Sequence, residues 1–255
     1  MINILVDNLI KNAQFLPLMI ALLTDFGQSE YVGIMKGVIL QKAPHAQIID
    51  LYHGVEPQHV RQAAWLLLQN YRRFPEGTIF LAVVDPGVGS ERQAVAVKTS
   101  HYTFIGPDNG LLHPACHDDG LLETVALPTA GASATFHGRD VFAPAAGMLE
   151  AGAAFPSLGR ATELREAISF VWDGREGEVV HIDHFGNIIT TLLSLGKQAY
   201  LVNGQEMPFY ATYAEAPSGM PFLITGSSNT LEISVRGGSA KEKLNIGIRD
   251  KITIA

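Results

Sequence analysis

The chain has 255 residues, 47% of them hydrophobic and 17% charged, with 25 glycines and 13 prolines. This suffices to bury a core in one large domain or two modest ones, and it is the composition of a loop-rich α/β protein rather than a disordered or fibrous one. A formal charge of −7 argues against nucleic acid as a partner and suits a cationic ligand; the single cysteine, Cys116, excludes a disulfide framework or cysteine-based zinc site and fits a reducing, cytoplasmic setting.

In residues 1–18, Lys11 precedes an apolar run, Phe15–Leu23, that mimics the core of a signal peptide. No small-residue cleavage site follows, and the run flows directly into Thr24-Asp25-Phe26-Gly27. Residues 1–18 are therefore expected to be an extension or start-site artefact, with Met19 as the natural start. No apolar run is long enough to span a membrane.

Ile20–Leu23 reads as a short buried strand with Asp25 just past its end. Tyr31, Ile34, Met35, Val38 and Ile39 recur at helical spacing within Ser29–Gln41. Gln47–Leu51 is a second strand, and Val60–Tyr71 an amphipathic helix with Val60, Ala64, Leu67, Leu68 and Tyr71 on one side. Strand Ile79–Val84 ends in Asp85-Pro86-Gly87-Val88-Gly89, because proline cannot donate to a ladder and glycine tolerates positive φ. Gln93–Val97 and His101–Ile105 follow as strands, the latter closed by Gly106-Pro107-Asp108-Asn109-Gly110. Phe136-His137-Gly138-Arg139-Asp140 precedes Val141–Ala151, whose small residues suit a tightly packed helix. This alternation predicts an α/β domain over residues 19–167, with a mostly parallel sheet in three layers. From residue 168 short strands follow one another without helices of useful length (Gly177–Ile182, Ile188–Leu192, Gln198–Val202, Phe222–Thr225, Leu231–Val235 and Lys251–Ile254), which predicts a small all-β barrel over residues 168–255.

In open α/β sheets ligands bind beyond the carboxyl ends of the strands. Asp25, Asp50, Asp85 and Asp108 all stand at such ends, and their convergence would suit a Mg²⁺-dependent phosphohydrolase; taken singly, each is better read as a helix or turn cap. Arg92 can fold back on Asp85 as a preorganised charge pair or as a mere turn salt bridge. Among nine histidines, His137 stands out between an expected strand end and a helix start. His181 and His184 flank Asp183, but strand alternation puts His184 on the opposite face from the other two, so no metal site is expected there. There is no dinucleotide fingerprint, nucleophile elbow or His-Glu-x-x-His pair.

Taken in order, Thr24–Gly27, Asp85–Gly89 with Arg92, Gly106–Gly110, Phe136–Asp140 and Asp183-His184-Phe185-Gly186-Asn187 resemble the S-adenosylmethionine hydroxide adenosyltransferase family, a relative of the S-adenosylmethionine-dependent chlorinases and fluorinases. The resemblance spans Met19 to the C-terminus. It implies hydrolysis of S-adenosylmethionine to adenosine and L-methionine without metal or other cofactor, by a homotrimer whose active sites lie between neighbouring subunits. By the same resemblance Asp85, Arg92 and His137 form the catalytic set and Asp25 holds the ribose hydroxyls. Asp183 and Ser227 would bind the methionine end, Asn187 the adenine, and the Gly237–Ala240 segment would supply backbone contacts to adenine. The halogenating relatives have other residues in place of Asp85 and His137. One departure is Gly226-Ser227-Ser228-Asn229, where the family more often has Asn-Ser followed by a bulky residue. Halide-dependent adenosyl transfer and a non-catalytic S-adenosylmethionine or nucleoside sensor remain the alternatives.

Overall fold

A computed structural model describes residues 19–172 and 174–255, so the reading of residues 1–18 lies outside the described part. Two compact units are present: residues 19–63 with Asn70–Ala167, and Ala64–Gln69 with Ile168–Ala255. The first unit is built on a mixed sheet and the second on a curled antiparallel one.

The first unit runs β1 (Met19–Thr24), α1 (Tyr31–Lys42), β2 (Gln47–Tyr52), α2 (Val60–Asn70, of which Ala64–Gln69 groups with the second unit), β3 (Ile79–Val83), β4 (Ala94–Thr99), β5 (Thr103–Pro107), α3 (His113–Asp118), β6 (Leu121–Ala126), α4 (Ala143–Glu150) and β7 (Arg160–Ala161). Its seven-stranded sheet has the order β2-β1-β3-β5-β4-β6-β7. Strands β1, β2, β3, β5 and β6 point one way; β4 and β7 run against them. Alternation sorts the side chains: Ile20, Leu22, Ile79 and Leu81 face Val32, Met35 and Ile39 of α1 together with Ala143 and Ala146 of α4. On the opposite face Phe80 stacks on Phe104 at 5.2 Å, with Tyr71 edge-on to both. Helix α3 and strands β6 and β7 were not expected from the sequence, since His113–Asp118 is one short turn-rich stretch and β7 has only two residues.

Topology decides what meets at the sheet edge. Because β5 lies between β3 and β4, the sequence-adjacent pair β3 and β4 is not a hairpin. Strand β4 is antiparallel, so its beginning lies at the edge where β1, β3 and β5 end, with Ala94 opposite Pro107.

In the second unit β8 (Glu176–Ile182), β9 (Ile188–Thr190), β12 (Pro221–Thr225), β13 (Leu231–Val235) and β14 (Lys251–Thr253) form a sheet of order β12-β13-β9-β8-β14, all antiparallel. Strands β10 (Ala199–Val202) and β11 (Gln205–Pro208) make a separate hairpin. The expected barrel is therefore only a half-barrel: the hairpin meets the sheet through the isolated bridges Val202–Ile254 and Phe209–Leu223, not through continuous ladders. The sheet curls around Val179, Ile188, Tyr200, Leu231 and Ile233. A five-residue helix, α5 (Ala240–Leu244), is capped by the Ser239 hydroxyl accepting from the Glu242 N–H. Trp65, in the stretch of α2 that belongs to this unit, packs with Phe170, Val180 and Ile189. Among the described residues, no helix is long and apolar enough to cross a membrane.

Candidate active site

Asp85, Arg92 and His137, 52 positions apart at their extremes by number, are in mutual contact in the first unit. Arg92 Nε donates to Asp85 Oδ1 at 2.8 Å, and Arg92 Nη2 donates to Asp85 Oδ2 and, at 2.9 Å, to His137 Nδ1. Both partners of the ion pair are buried, with side-chain exposures of 9% and 6% for Arg92 and Asp85. A fork-to-carboxylate geometry of this kind is stronger and more directional than an exposed pair. The Arg92 guanidinium also lies 5.4 Å from the Phe142 ring centre, on its apolar side. Its remaining nitrogen, Nη1, is buried with no hydrogen-bond partner among the described residues. Native structures keep few such groups, and they concentrate where something other than stability decides the residue.

The local chain explains how these side chains are presented. The Asp85–Gly89 turn is held by Val88 N–H to Asp85 O and by Asn109 Nδ2 to Val84 O. Gly89 has φ +75°, and a Cβ there would stand 2.3 Å from the Ala134 carbonyl oxygen, so only glycine lets this turn lie against the 130s loop. Arg92 returns just before β4, at the sheet edge where β3 ends. The strand expected before His137 is absent: residues 127–136 are loop, and His137 leads into a π-helical turn, Gly138–Phe142, ahead of α4. Asp140 fixes that loop by pairing with Arg139 and accepting from the Ser133 N–H.

Hydrogen-bond direction sets the tautomer of His137. A guanidinium can only donate, so Nδ1 accepts and the neutral ring carries its proton on Nε2. Burial, then the Arg92 charge, hold the imidazole pKa below its ordinary value, against the opposing pull of Asp85.

Asp85 and His137 line a cavity of about 420 Å³ together with Asp25, Gln58 and an aromatic wall. That wall is Phe26, Tyr31 and Phe136, three rings in mutual edge-to-face contact with centroids 5.0–6.1 Å apart. Asp25 sits one residue beyond β1, where its Oδ2 accepts the Gln58 N–H at 2.8 Å. The four strand-end aspartates do not converge. Asp50 is bound to Lys36 and His53, and Asp108 accepts the backbone N–H groups of Arg165 and Glu166, so both serve as local anchors. Among the described residues no group of three or more His, Cys, Asp or Glu is placed to hold a metal ion.

The remaining predicted residues belong to the second unit. Asp183 Oδ1 accepts from the N–H groups of Phe185 and Asn187, and Oδ2 accepts from Asn187 Nδ2 at 2.8 Å. Gly186 O accepts from Lys241 N–H, which ties this loop to the start of α5. Ala240 is fully buried, with its methyl group in the core of this unit. Ser227 is exposed in the Gly226–Asn229 turn, where Asn229 has φ +59°. Asp183, Asn187 and the residues around Ala240 are thus brought together by hydrogen bonds; next to Ser227, Gly226 packs against the carboxyl of Glu232, which feels the Asp183 charge. Burial foremost, then that charge, raise the Glu232 pKa from its ordinary value.

Residues 20–159 match the model of the SAM hydroxide adenosyltransferase N-terminal domain, and residues 177–253 that of the C-terminal domain. An (R)-S-adenosyl-L-methionine hydrolase of Thermus thermophilus is 42% identical over 241 residues, covering 88% of this chain and 94% of the relative. The chain belongs to the SAM hydroxide adenosyltransferase family. A crystal structure of a conserved protein from Thermotoga maritima superposes with a TM-score of 0.85 at 34% identity, covering 93% of this chain and 100% of that one. A fluorinase of Nocardia brasiliensis is more distant, at 28% identity over 68% of this chain and 70% of its own.

Gln58, the aromatic wall and Glu232 are not among the site residues expected from the sequence. Gln58 acts through a backbone N–H at φ +65°, which no side-chain pattern announces. Phe26 and Phe136 stood inside quoted motifs, and their position beside Asp25 and His137 was the available signal. Glu232 lies mid-strand and offers none.

Proposed function

We propose that this protein hydrolyses S-adenosyl-L-methionine to adenosine and L-methionine by attack of a water-derived oxygen in line with the C5′–sulfur bond. The observation that carries the reading is the buried Asp85–Arg92–His137 contact beside a cavity that also holds the Asp25 carboxylate. A sulfonium is already a good leaving group, so the departing sulfur needs no acid. The reaction needs an oxygen held about 3–3.5 Å from carbon in a water-poor setting. Hydroxide character meeting a sulfonium annihilates charge, which a low-dielectric site favours.

Hydrogen-bond directions support a division of labour. Arg92 supplies fixed positive charge where negative charge develops on the nucleophile. His137 has Nδ1 occupied by Arg92 and a proton on Nε2, so it can orient an oxygen by donation but cannot take its proton. Asp85 is the member with lone pairs to spare, and it is the proton acceptor in this reading. The two oxygens of Asp25 match a vicinal diol, which supports its assignment to the ribose. Asp183 and Ser227 are assigned to the methionine end, Asn187 and the backbone near Ala240 to adenine. None of these steps calls on a metal or organic cofactor.

The active form in this reading is a cytoplasmic homotrimer with sites between neighbouring subunits. Support comes from the apolar edge around α1 and β2, where Tyr31, Ile34, Ile49 and Tyr52 are 38–44% exposed beside the cavity that Tyr31 lines. Light scattering during gel filtration tests it, and a monomer at working concentration overturns it.

The activity itself is tested by incubating pure protein with S-adenosylmethionine in chelator and quantifying products by mass spectrometry. Equimolar adenosine and methionine, absent with Arg92→Ala, are expected; no product above that variant overturns the reading. A 5′-halo-adenosine formed on adding chloride or bromide would favour halide transfer instead, and calorimetric binding without turnover would make the protein a sensor.

A further inference from the structure

The Asp25 loop is held from both sides by one histidine that takes no part in the catalytic cluster. Thr24, fully buried at the end of β1, places its Oγ1 2.9 Å from His53 Nδ1 and accepts the Phe26 N–H at 3.2 Å. On the far side of Asp25 the Gly27 N–H donates to the His53 carbonyl at 2.8 Å. The imidazole is oriented in turn by Asp50, whose Oδ1 lies 2.9 Å from Nε2, while Lys36 Nζ donates to Asp50 Oδ2 at 2.6 Å. The hydrogen-bond roles close without conflict: in the neutral ring Nε2–H donates to Asp50 and Nδ1 accepts the Thr24 hydroxyl hydrogen. The segment that carries His53 also carries Gln58, whose N–H grips Asp25 itself.

We propose that His53 is a positioning residue for Asp25, holding the backbone on both sides of that carboxylate so that its oxygens meet the ribose hydroxyls. The inference rests on the assignment of Asp25 to the ribose. Strand pairing fixes the loop from one side only: the β1–β3 ladder runs on to the Thr24–Val83 pair, whereas the β1–β2 ladder shifts register between Leu22 and Leu23 and ends at the Leu23–Tyr52 pair, before the loop begins. A displacement of about 1 Å in a positioning group is worth about 10²-fold in rate.

The test is a double-mutant cycle on the full-length protein, with His53→Ala, Asp25→Ala and the pair, reading kcat/KM for S-adenosylmethionine and the affinity ratio of adenosine to 2′-deoxyadenosine. Expected are a 10- to 100-fold loss for His53→Ala, a fall of the ratio toward that of Asp25→Ala, and a double variant no worse than Asp25→Ala alone. Multiplicative losses, or a His53→Ala protein with the wild-type ratio, overturn the proposal. An Asp25→Ala protein with the wild-type ratio instead overturns the ribose assignment, and with it the proposal. Should His53→Ala fail to fold, Thr24→Val and Thr24→Ser carry the same test: loss of the ratio with valine and its retention with serine are expected, and equal behaviour of the two overturns it.

Discussion

Two clusters at the same sheet edge use nearly the same parts. In one, Asp85 and His137 gather on Arg92; in the other, Asp50 and His53 join Lys36 and Thr24. Burial separates them. Arg92 and Asp85 expose 9% and 6% of their side chains, Lys36 and Asp50 32% and 45%. In the buried cluster charge is poorly screened, so pairing is mandatory and the field at a neighbouring ligand is strong. In the exposed one water screens the ion pair, and geometry is what remains for it to contribute. Residue type therefore does not tell the proposed catalytic cluster from a scaffold cluster; solvent does.

The contrast is broken or sharpened most strongly by Arg92→Ala. It should lower kcat/KM by about 10³-fold or more and destabilise the fold by about 3–5 kcal/mol, because Asp85 is left buried and unpaired. Product formation and denaturant titration measure the two effects. His137→Ala follows, with a loss of about 10²-fold in kcat. In the wild type the acid limb of the kcat/KM profile should lie below pH 6.5, since only the neutral ring accepts from Arg92 and its pKa is held under the usual value of about 6.5. A limb above that value would break the assignment.

Stability carries the same sign. A histidine whose pKa is lowered on folding contributes stability that is fully present above its unfolded pKa and is lost as pH falls through the lower folded one. The denaturation midpoint of the wild type should thus fall relative to His137→Ala between pH 6.5 and the folded pKa, and level off below. The smallest effect is expected for Lys36→Ala, at about 0–1 kcal/mol, shrinking further in 1 M salt. A larger or salt-insensitive loss would place the two clusters in one class after all.

The α/β alternation of the first unit was legible because buried strands, amphipathic helices and Gly-Pro turns each leave a local pattern. Asp85, Arg92 and His137, which the structure brings into contact, could be named for the same reason, each standing in a turn or at an element end. What stayed illegible is pairing. Nothing in Ile79–Val97 indicates that β5 inserts between β3 and β4, and without that insertion Arg92 would simply close a hairpin. The half-barrel was misread as a barrel because strand count and spacing are the same whether two edges meet through ladders or through single bridges.

Local chemistry in the chain thus determined the strand ends, the acidic and basic groups placed there, and the glycine that lets the Asp85 turn lie against its neighbour. Tertiary structure alone decided that Asp25 and Asp85 share a cavity while Asp50 and Asp108 do not, and that Arg92 is dry while Lys36 is wet. The physical reason is that burial and hydrogen-bond direction are properties of the packed neighbourhood, which segments distant along the chain supply.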